Sequence, residues 1–529
     1  MLNTLNEECE KLNYQPRSVQ TQAIKWLESV WNSSNICKVL SLSVGAGKSL
    51  ISKTIAEHNK KQGKITAIIT PSNILIDQYI KEFPDVNYFK GKTNYKCEKT
   101  QSTCEEGLEF AKVSKKPCEN CPYDIAKQRC YDESITIFNP ISLFVLPKTF
   151  KTDFGFEPLY QVDTIIVDEV QSLPSMLREL MTIKIWSHDI RWQSGVSSSM
   201  PEVIKLMREY SNKLSHYIFN PKIEGKEKAK LLISQRRTDI LCTQLVFNSS
   251  FFICEETTQK YRNLMTDCLI IRPKYVPPSV YTNFFKHASR VIFMSGTAFP
   301  HIWEELGYKK VDYLELPSPI PVERRQIFVT NSINMSHKTK TQEILDQLAT
   351  EIRYITEEIH PDENGVILLT YSLAEELKLR LTEDYFVHME KKTKKDQIDE
   401  FKANTKRRVG LFSGSFEGLS LDDDVSRFTI IPKIPFASLT DKVVQVRMKE
   451  NELHYQLETM TNIIQGSGRS TRSDKDFSTI YILDSNFSRL FATTRKYLPA
   501  YFIESIRWGM PNNDYINLLK TFRGEKKCA

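Results

Sequence analysis

With 529 residues, 40% of them hydrophobic, the chain can bury several cores, and at roughly 100 to 200 residues per domain it should form three or four units. No stretch reaches the roughly 18 uninterrupted apolar residues of a membrane span, and the opening MLNTLNEECEKLNY lacks a signal-peptide core, so a cytoplasmic protein without membrane contact is expected. The net charge of +7 is a small difference between 72 basic and 65 acidic residues, which admits nucleic-acid binding without arguing for it.

Internal repeats, low-complexity tracts and Gly/Ser linkers are absent from the sequence. Taken in order, short apolar runs at Val39 to Ser43, Ile65 to Thr70, Ile135 to Phe138, Thr164 to Val167 and Arg290 to Met294 read as buried parallel strands. Helical patterns at Lys48 to Lys61 and Asn73 to Phe83 separate the first of them, which is the signature of an α/β sheet covered on both faces. Residues 176–285, with PEVIKLMREYSNKL and EGKEKAKLLISQRRTDI, predict a mostly helical insertion. A second strand set begins at Gly365, continues through Arg408 to Phe412 and Phe428 to Pro432, and ends at Ser478 to Asp484.

Chemistry enters at SLSVGAGKSL, which follows a strand and opens a helix. Gly45, Ala46 and Gly47 let the backbone curl so that N–H groups converge at a helix N-terminus, where an anion is favoured. Lys48 would reach the β and γ phosphates and Ser49 would hold Mg2+. The first Gly of the full G-x4-G-K-S pattern is replaced by Leu42, and a lone GxGKS is also an ordinary loop. Its required partner follows about 120 residues later, where the strand TIIV delivers Asp168 and Glu169 at its carboxyl end. Asp168 suits the Mg2+ shell and Glu169 suits a base for the attacking water.

Five of the 11 cysteines, Cys97, Cys104, Cys118, Cys121 and Cys130, crowd into one stretch. In a reducing compartment such a group reads as metal ligation before disulfides, and C-x6-C with C-x2-C lets four thiolates converge on zinc or on an iron-sulfur cluster. Residue types alone do not separate the two metals. The insertion has few apolar residues, so the metal would act as its staple.

At this point the chain resembles the XPD/DinG group of superfamily 2 helicases. Asp168-Glu169-Val170-Gln171 looks like the family's DEAH box with Gln171 in place of His, and YQPRSVQTQAI looks like the adenine-side motif, which points at Arg17 and Gln20. MSGTAFP resembles motif III through Ser295, Gly296 and Thr297. GSFEGLSLDDD resembles motif V through Phe416, Glu417 and Gly418, with Ser420 where the family has Asp. QGSGRSTRSDKDFSTIYILD resembles motif VI: Arg469 and Arg472, three apart on one helical face, would bring guanidinium groups to the γ-phosphate, with Gln465 on the same face. The resemblance also implies a [4Fe-4S] cluster on Cys97, Cys104, Cys118 and Cys121. Cys130 is then spare, and a set exchanging it for Cys104 stays open.

The resemblance implies two RecA-like parallel-sheet motor domains, the first carrying a cysteine-cluster insertion and a helical arch insertion. The expected boundaries are motor domain 1 over 1–90, 133–175 and 286–320, the cysteine insertion over 91–132, the arch over 176–285 and motor domain 2 over 321–529. It further implies a monomeric Mg-ATP-dependent DNA helicase that moves 5' to 3' on single-stranded or forked DNA. Two other readings compete: an ATP-driven translocase or remodeller that separates no strands, and an ATPase-dead, zinc-stabilised nucleic-acid-binding protein. The Lys391 to Lys395 run reads as a solvated helix face, and the nine histidines show no ligand spacing.

Overall fold

The computed structural model describes residues 1–107, 120–145, 149–152, 155–158, 162–223, 225–261, 264–286, 288–336, 339–388, 394–403, 406–413, 423–468, 471 and 476–527. The first half carries β1 (Cys37–Ser41), β2 (Thr66–Ile69), β3 (Asn87–Phe89), β4 (Ile135–Phe138), a hairpin of β5 (Thr149–Thr152) and β6 (Gly155–Pro158), and β7 (Thr164–Asp168). It continues through β8 (Ile183–Trp186), β9 (Phe252–Tyr261), β10 (Leu264–Pro273), β11 (Arg290–Ser295) and β12 (Asp312–Glu315).

Seven of these form one all-parallel sheet in the order β12-β1-β11-β7-β2-β4-β3. The inner strands β1, β2, β4 and β7 are buried at every position, which explains why they read as continuous apolar runs. Alternate side chains face opposite ways: Ile165, Val167, Val291 and Phe293 join one core, Ile166, Ile292 and Met294 the other. The register pairs Ser41 with Ser295 and Met294 with Asp168, so β1, β11 and β7 end side by side. Three neighbouring strands thus deliver the phosphate loop, Ser295 to Thr297 and the Asp168-Glu169 pair to one edge.

The second half carries β13 (Ile327–Ile333), β14 (Gly365–Leu369), β15 (Phe386–His388), β16 (Val409–Ser413), β17 (Phe428–Ile431), β18 (Thr479–Asp484) and β19 (Ile506–Trp508). These too form a seven-stranded parallel sheet, in the order β15-β16-β14-β17-β18-β13-β19. One face joins the same apolar core that lies under the first sheet, through Val329, Leu368, Ile431 and Ile482. The other face packs on Leu345, Leu348 and Ile352 of the helix Gln342–Tyr354. The two parallel-sheet units are thereby joined by continuous burial.

The segment expected to be mostly helical does contain the long helices Met200–Phe219 and Gly225–Asn248, packed on each other, but it also holds the antiparallel sheet β8-β10-β9. The strand signal was weak because FICEETTQKY places Glu255, Glu256, Gln259 and Lys260 on a half-exposed ribbon, diluting the alternation. Among the described residues no helix is long and apolar enough to cross a membrane.

Candidate nucleotide site and cysteine centre

The phosphate loop has the backbone its glycines permit. Gly45 and Gly47 sit at φ 80° and 76°, a region that L side chains rarely adopt, and Gly47 caps the helix Lys48–Lys60. A side chain at Gly47 would also collide with Gln20, whose amide nitrogen lies 2.1 Å from where a Cβ would stand. Gln20 is buried and accepts from the Arg17 backbone N–H at 2.9 Å, while the Arg17 guanidinium donates to the Gly45 carbonyl. Arg17 and Gln20 therefore buttress the loop. Ala46 is buried, and Lys48 and Ser49 open the helix with their side chains partly exposed.

Facing the loop, the Lys48 ammonium lies 2.9 Å from Glu169 Oε1. Asp168 is buried behind it and accepts from the Tyr79 hydroxyl at 3.2 Å. Burial pushes the Asp168 carboxyl up to about 6, and the Glu169 charge adds to the rise, against the opposing pull of Lys48 and the Tyr79 hydrogen bond. A buried carboxyl whose charge is disfavoured in this way would be stabilised by a cation. Glu169 holds φ 52° and ψ 52°, which a residue with a side chain adopts at a cost.

From Glu169 a chain of hydrogen bonds crosses the sheet edge and enters the second domain. Gln171 Nε2 donates to Glu169 Oε2 at 2.9 Å, and Gln171 Oε1 accepts from Ser295 Oγ at 2.5 Å. Ser295 Oγ lies 3.2 Å from Thr297 Oγ1, and Gln465 Nε2 donates to that Thr297 oxygen at 3.1 Å. Gln465 also lies 3.5 Å from Glu169 Oε2. Gln465 comes from the helix Glu452–Ser467 of the second domain, capped by the Asn451 side chain. Ser295, Thr297 and Gln465 are all buried, so the Ser295–Thr297 and Thr297–Gln465 bonds are made away from water, while Glu169 and Gln171 at the other end are partly exposed.

The helix ends against the phosphate loop: a Cβ on Gly468 would meet the Val44 methyl at 2.8 Å. Arg469 and Arg472, one and four residues further on, lie outside the described residues, as do Phe416, Glu417, Gly418 and Ser420. Part of the Lys391 to Lys395 run does too.

Two groups gave no sequence signal. Tyr79 sits in an otherwise ordinary amphipathic helix, yet its hydroxyl bridges Asp168 and Ser52. Tyr501, well beyond the Arg472 segment, donates to the Gly296 carbonyl at 3.0 Å and fills the space that any Gly296 side chain would need.

The cysteine insertion packs on the outer strand β3 through Phe89, Tyr95 and Tyr123, whose ring centroids lie 5.1 to 6.4 Å apart. Cys97, Cys104 and Cys121 are buried beside this small core, and the Cys104 and Cys121 sulfurs lie 4.0 Å apart. Burial pushes the Cys104 thiol up to about 12, with the Cys121 and Cys97 thiols adding to the rise, so ionisation there needs a bound cation. Cys130 faces elsewhere: it donates to its own helix at Ala126 O, 3.2 Å away, and meets Asn87. Cys118 lies outside the described residues, and among the described residues no group of three or more His, Cys, Asp or Glu is arranged to hold a metal ion.

Comparison with known proteins agrees with this architecture. A family model described as a helicase C-terminal domain matches residues 355–505, and one described as the res subunit of type III restriction enzymes matches residues 13–183. No curated protein matches the chain by sequence. Among solved structures, an XPD helicase is similar at TM-score 0.62 and 14% identity, over 93% of this chain and 100% of that one. An XPD protein from S. tokodaii follows at TM-score 0.56 and 13% identity, and an apo XPD at 0.55 and 16%, each with the same coverage. The domain matches define the class, an ATP-hydrolysing helicase. Within that class the fold is like that of the XPD structures over nearly the whole chain.

Proposed function

We propose that this protein is a Mg-ATP-dependent DNA helicase that moves 5' to 3' on single-stranded DNA and unwinds forked duplexes. The observation that carries the reading is the meeting of Lys48, Glu169 and Gln465 from two RecA-like domains at one cleft. ATP would lie between the domains, 1–90, 133–175 and 286–320 forming the first and 321–529 the second, with 91–132 and 176–285 as insertions. In this reading Gly45, Ala46 and Gly47 cradle the phosphates, Lys48 binds them, and Ser49 and Asp168 hold the metal. Arg17 and Gln20 hold the loop on the adenine side. Glu169 orients the attacking water and takes its proton, and Gln465, Arg469 and Arg472 complete the site from the second domain. The ion supplies charge neutralisation on the phosphates when bound.

We assign Cys97, Cys104, Cys118 and Cys121 to a [4Fe-4S] cluster rather than zinc. The closeness of the Cys104 and Cys121 sulfurs and the separate environment of Cys130 support this set.

The decisive experiment pairs ATP hydrolysis with strand displacement on duplexes carrying a 5' or a 3' tail. The reading expects hydrolysis stimulated by single-stranded DNA, displacement only from the 5' tail, and loss of both in Lys48→Ala. Hydrolysis without displacement from either tail would replace the helicase with a translocase. In protein purified without oxygen, a broad band near ~400 nm with about four irons per chain marks the cluster, and stoichiometric zinc rejects it.

A further inference from the structure

A third part of the molecule is wired to this cleft through one buried carboxylate. Glu305 ends the helix Pro300–Glu305, just after Thr297, and its side chain is 7% exposed. It pairs with Arg178, on the helix that follows Asp168-Glu169, and accepts from the Val276 backbone N–H at 3.1 Å, at the root of the 176–285 insertion. From the second motor domain Arg447 approaches the same carboxylate at 3.4 Å and is equally buried. Burial would raise the Glu305 carboxyl, but Arg178 and Arg447 hold it below the usual carboxylate range.

The helix that carries Arg447, Lys442–Glu450, is bonded along its length to the same root. Arg447 donates to Lys274 O at 2.7 Å and lies over the Tyr275 ring. Lys442 donates to Cys254 O at 3.0 Å, Lys274 pairs with Glu450, and Arg272 pairs with Asp441 at 2.8 Å. The root of the β9-β10 hairpin is thus held by motor domain 2 at several points and by motor domain 1 through Glu305. Each of those strands has ten residues, so at about 3.3 Å per residue the hairpin is a lever of roughly 30 Å. Arg447 also pairs with Glu458, and Glu305 keeps Arg178, so each charge retains a second partner and the Arg447–Glu305 contact can be made or broken as the two domains move without leaving a bare buried charge.

We infer that Glu305 is a positioning residue through which relative movement of the two motor domains swings the 176–285 insertion, so that its position follows the nucleotide site. The inference rests on the motor reading above. It is tested in the full chain with Glu305→Gln, which keeps shape but removes charge, and Glu305→Asp, which keeps charge. ATP hydrolysis is measured with and without a mixed-sequence DNA oligonucleotide, beside the melting midpoint.

The Gln variant is expected to keep KM for ATP and DNA-free hydrolysis within about twofold while its stimulation by DNA falls about tenfold, and Asp should recover at least half of it. Should the Gln variant not fold, Arg272→Gln, at a partly exposed contact of the same root, must show the same selective loss. Stimulation that is unchanged, or that falls in proportion with DNA-free hydrolysis and the melting midpoint, overturns the inference and leaves the motor standing. Wild-type protein that hydrolyses no ATP refutes the motor reading, and the inference with it.

Discussion

Replacing Gln171 by Ala is the most direct probe of how the cleft works, because one amide joins the proposed base to Ser295, the next link on the way to Thr297 and the second domain's Gln465. Its Nε2 holds Glu169 and its Oε1 holds Ser295, at 2.9 and 2.5 Å. Without it, Glu169 keeps Lys48 and the more distant Gln465 but is no longer fixed in the plane that aims it. A hydrogen bond to a charged group contributes about 1.5 to 3 kcal/mol, and if some 2 kcal/mol of that is realised in the transition state the rate falls roughly 30-fold. The assay is steady-state phosphate release at saturating single-stranded DNA. We expect kcat to fall by about that factor with KM for ATP within about twofold, since the phosphate loop and Lys48 are untouched. An alanine variant whose kcat stays within about threefold of wild type would show that the amide is packing and that Glu169 is aimed by other groups.

Three further outcomes follow from the same geometry. Cys104→Ser should remove most of the bound metal, read by iron analysis, whereas Cys130→Ser should keep it, because the Cys130 sulfur is engaged with Ala126 O and Asn87. Gly296→Ala places a Cβ 2.7 Å from the Tyr501 hydroxyl and 3.3 Å from Leu42 O, and should lower stability by about 1 to 3 kcal/mol in a urea titration. Tyr501→Phe in that background should recover part of the loss. Burial would raise the Glu363 carboxyl, but hydrogen bonds from His360 and Arg523 outweigh it and hold it at about 2, against an ordinary 4.5. The stabilisation this carboxylate contributes is therefore complete above pH 4.5 and lost as pH falls toward 2. Glu363→Gln should flatten that limb of the stability curve measured by denaturant unfolding between those pH values.

What could be read from the residues follows burial. Strands covered on both faces, such as Ile135–Phe138 and Gly365–Leu369, show as unbroken apolar runs and were placed to the residue or nearly so. Short outer strands such as Asn87–Phe89 and Ile506–Trp508, with mixed exposure, left no pattern. The catalytic candidates were legible because a phosphate loop and an acidic strand end need particular residue types at particular places in the topology. Tyr79, Tyr501 and Glu305 were not, because their roles arise from tertiary contacts with residues 89, 205 and 142 positions away. A hydroxyl or carboxylate in an ordinary helix carries no local mark of what it will touch.

The departure at Gln171 acquires a physical sense from these contacts. Passing a signal from Glu169 to Ser295 requires one side chain that donates at one end and accepts at the other, and an amide does so in a single, permanently neutral form. An imidazole can do the same only as one neutral tautomer, and near its ordinary pKa of about 6.5 it becomes a double donor that can no longer accept from Ser295. Gln171→His should therefore match the wild type at pH 8 and fall behind it progressively below about pH 6.5, the ratio of the two kcat profiles cancelling every other ionisation in the cleft. A ratio that stays flat across that range would mean that Ser295 does not need an acceptor at this position, and the relay from Glu169 to Gln465 would have to run through their direct contact at 3.5 Å instead.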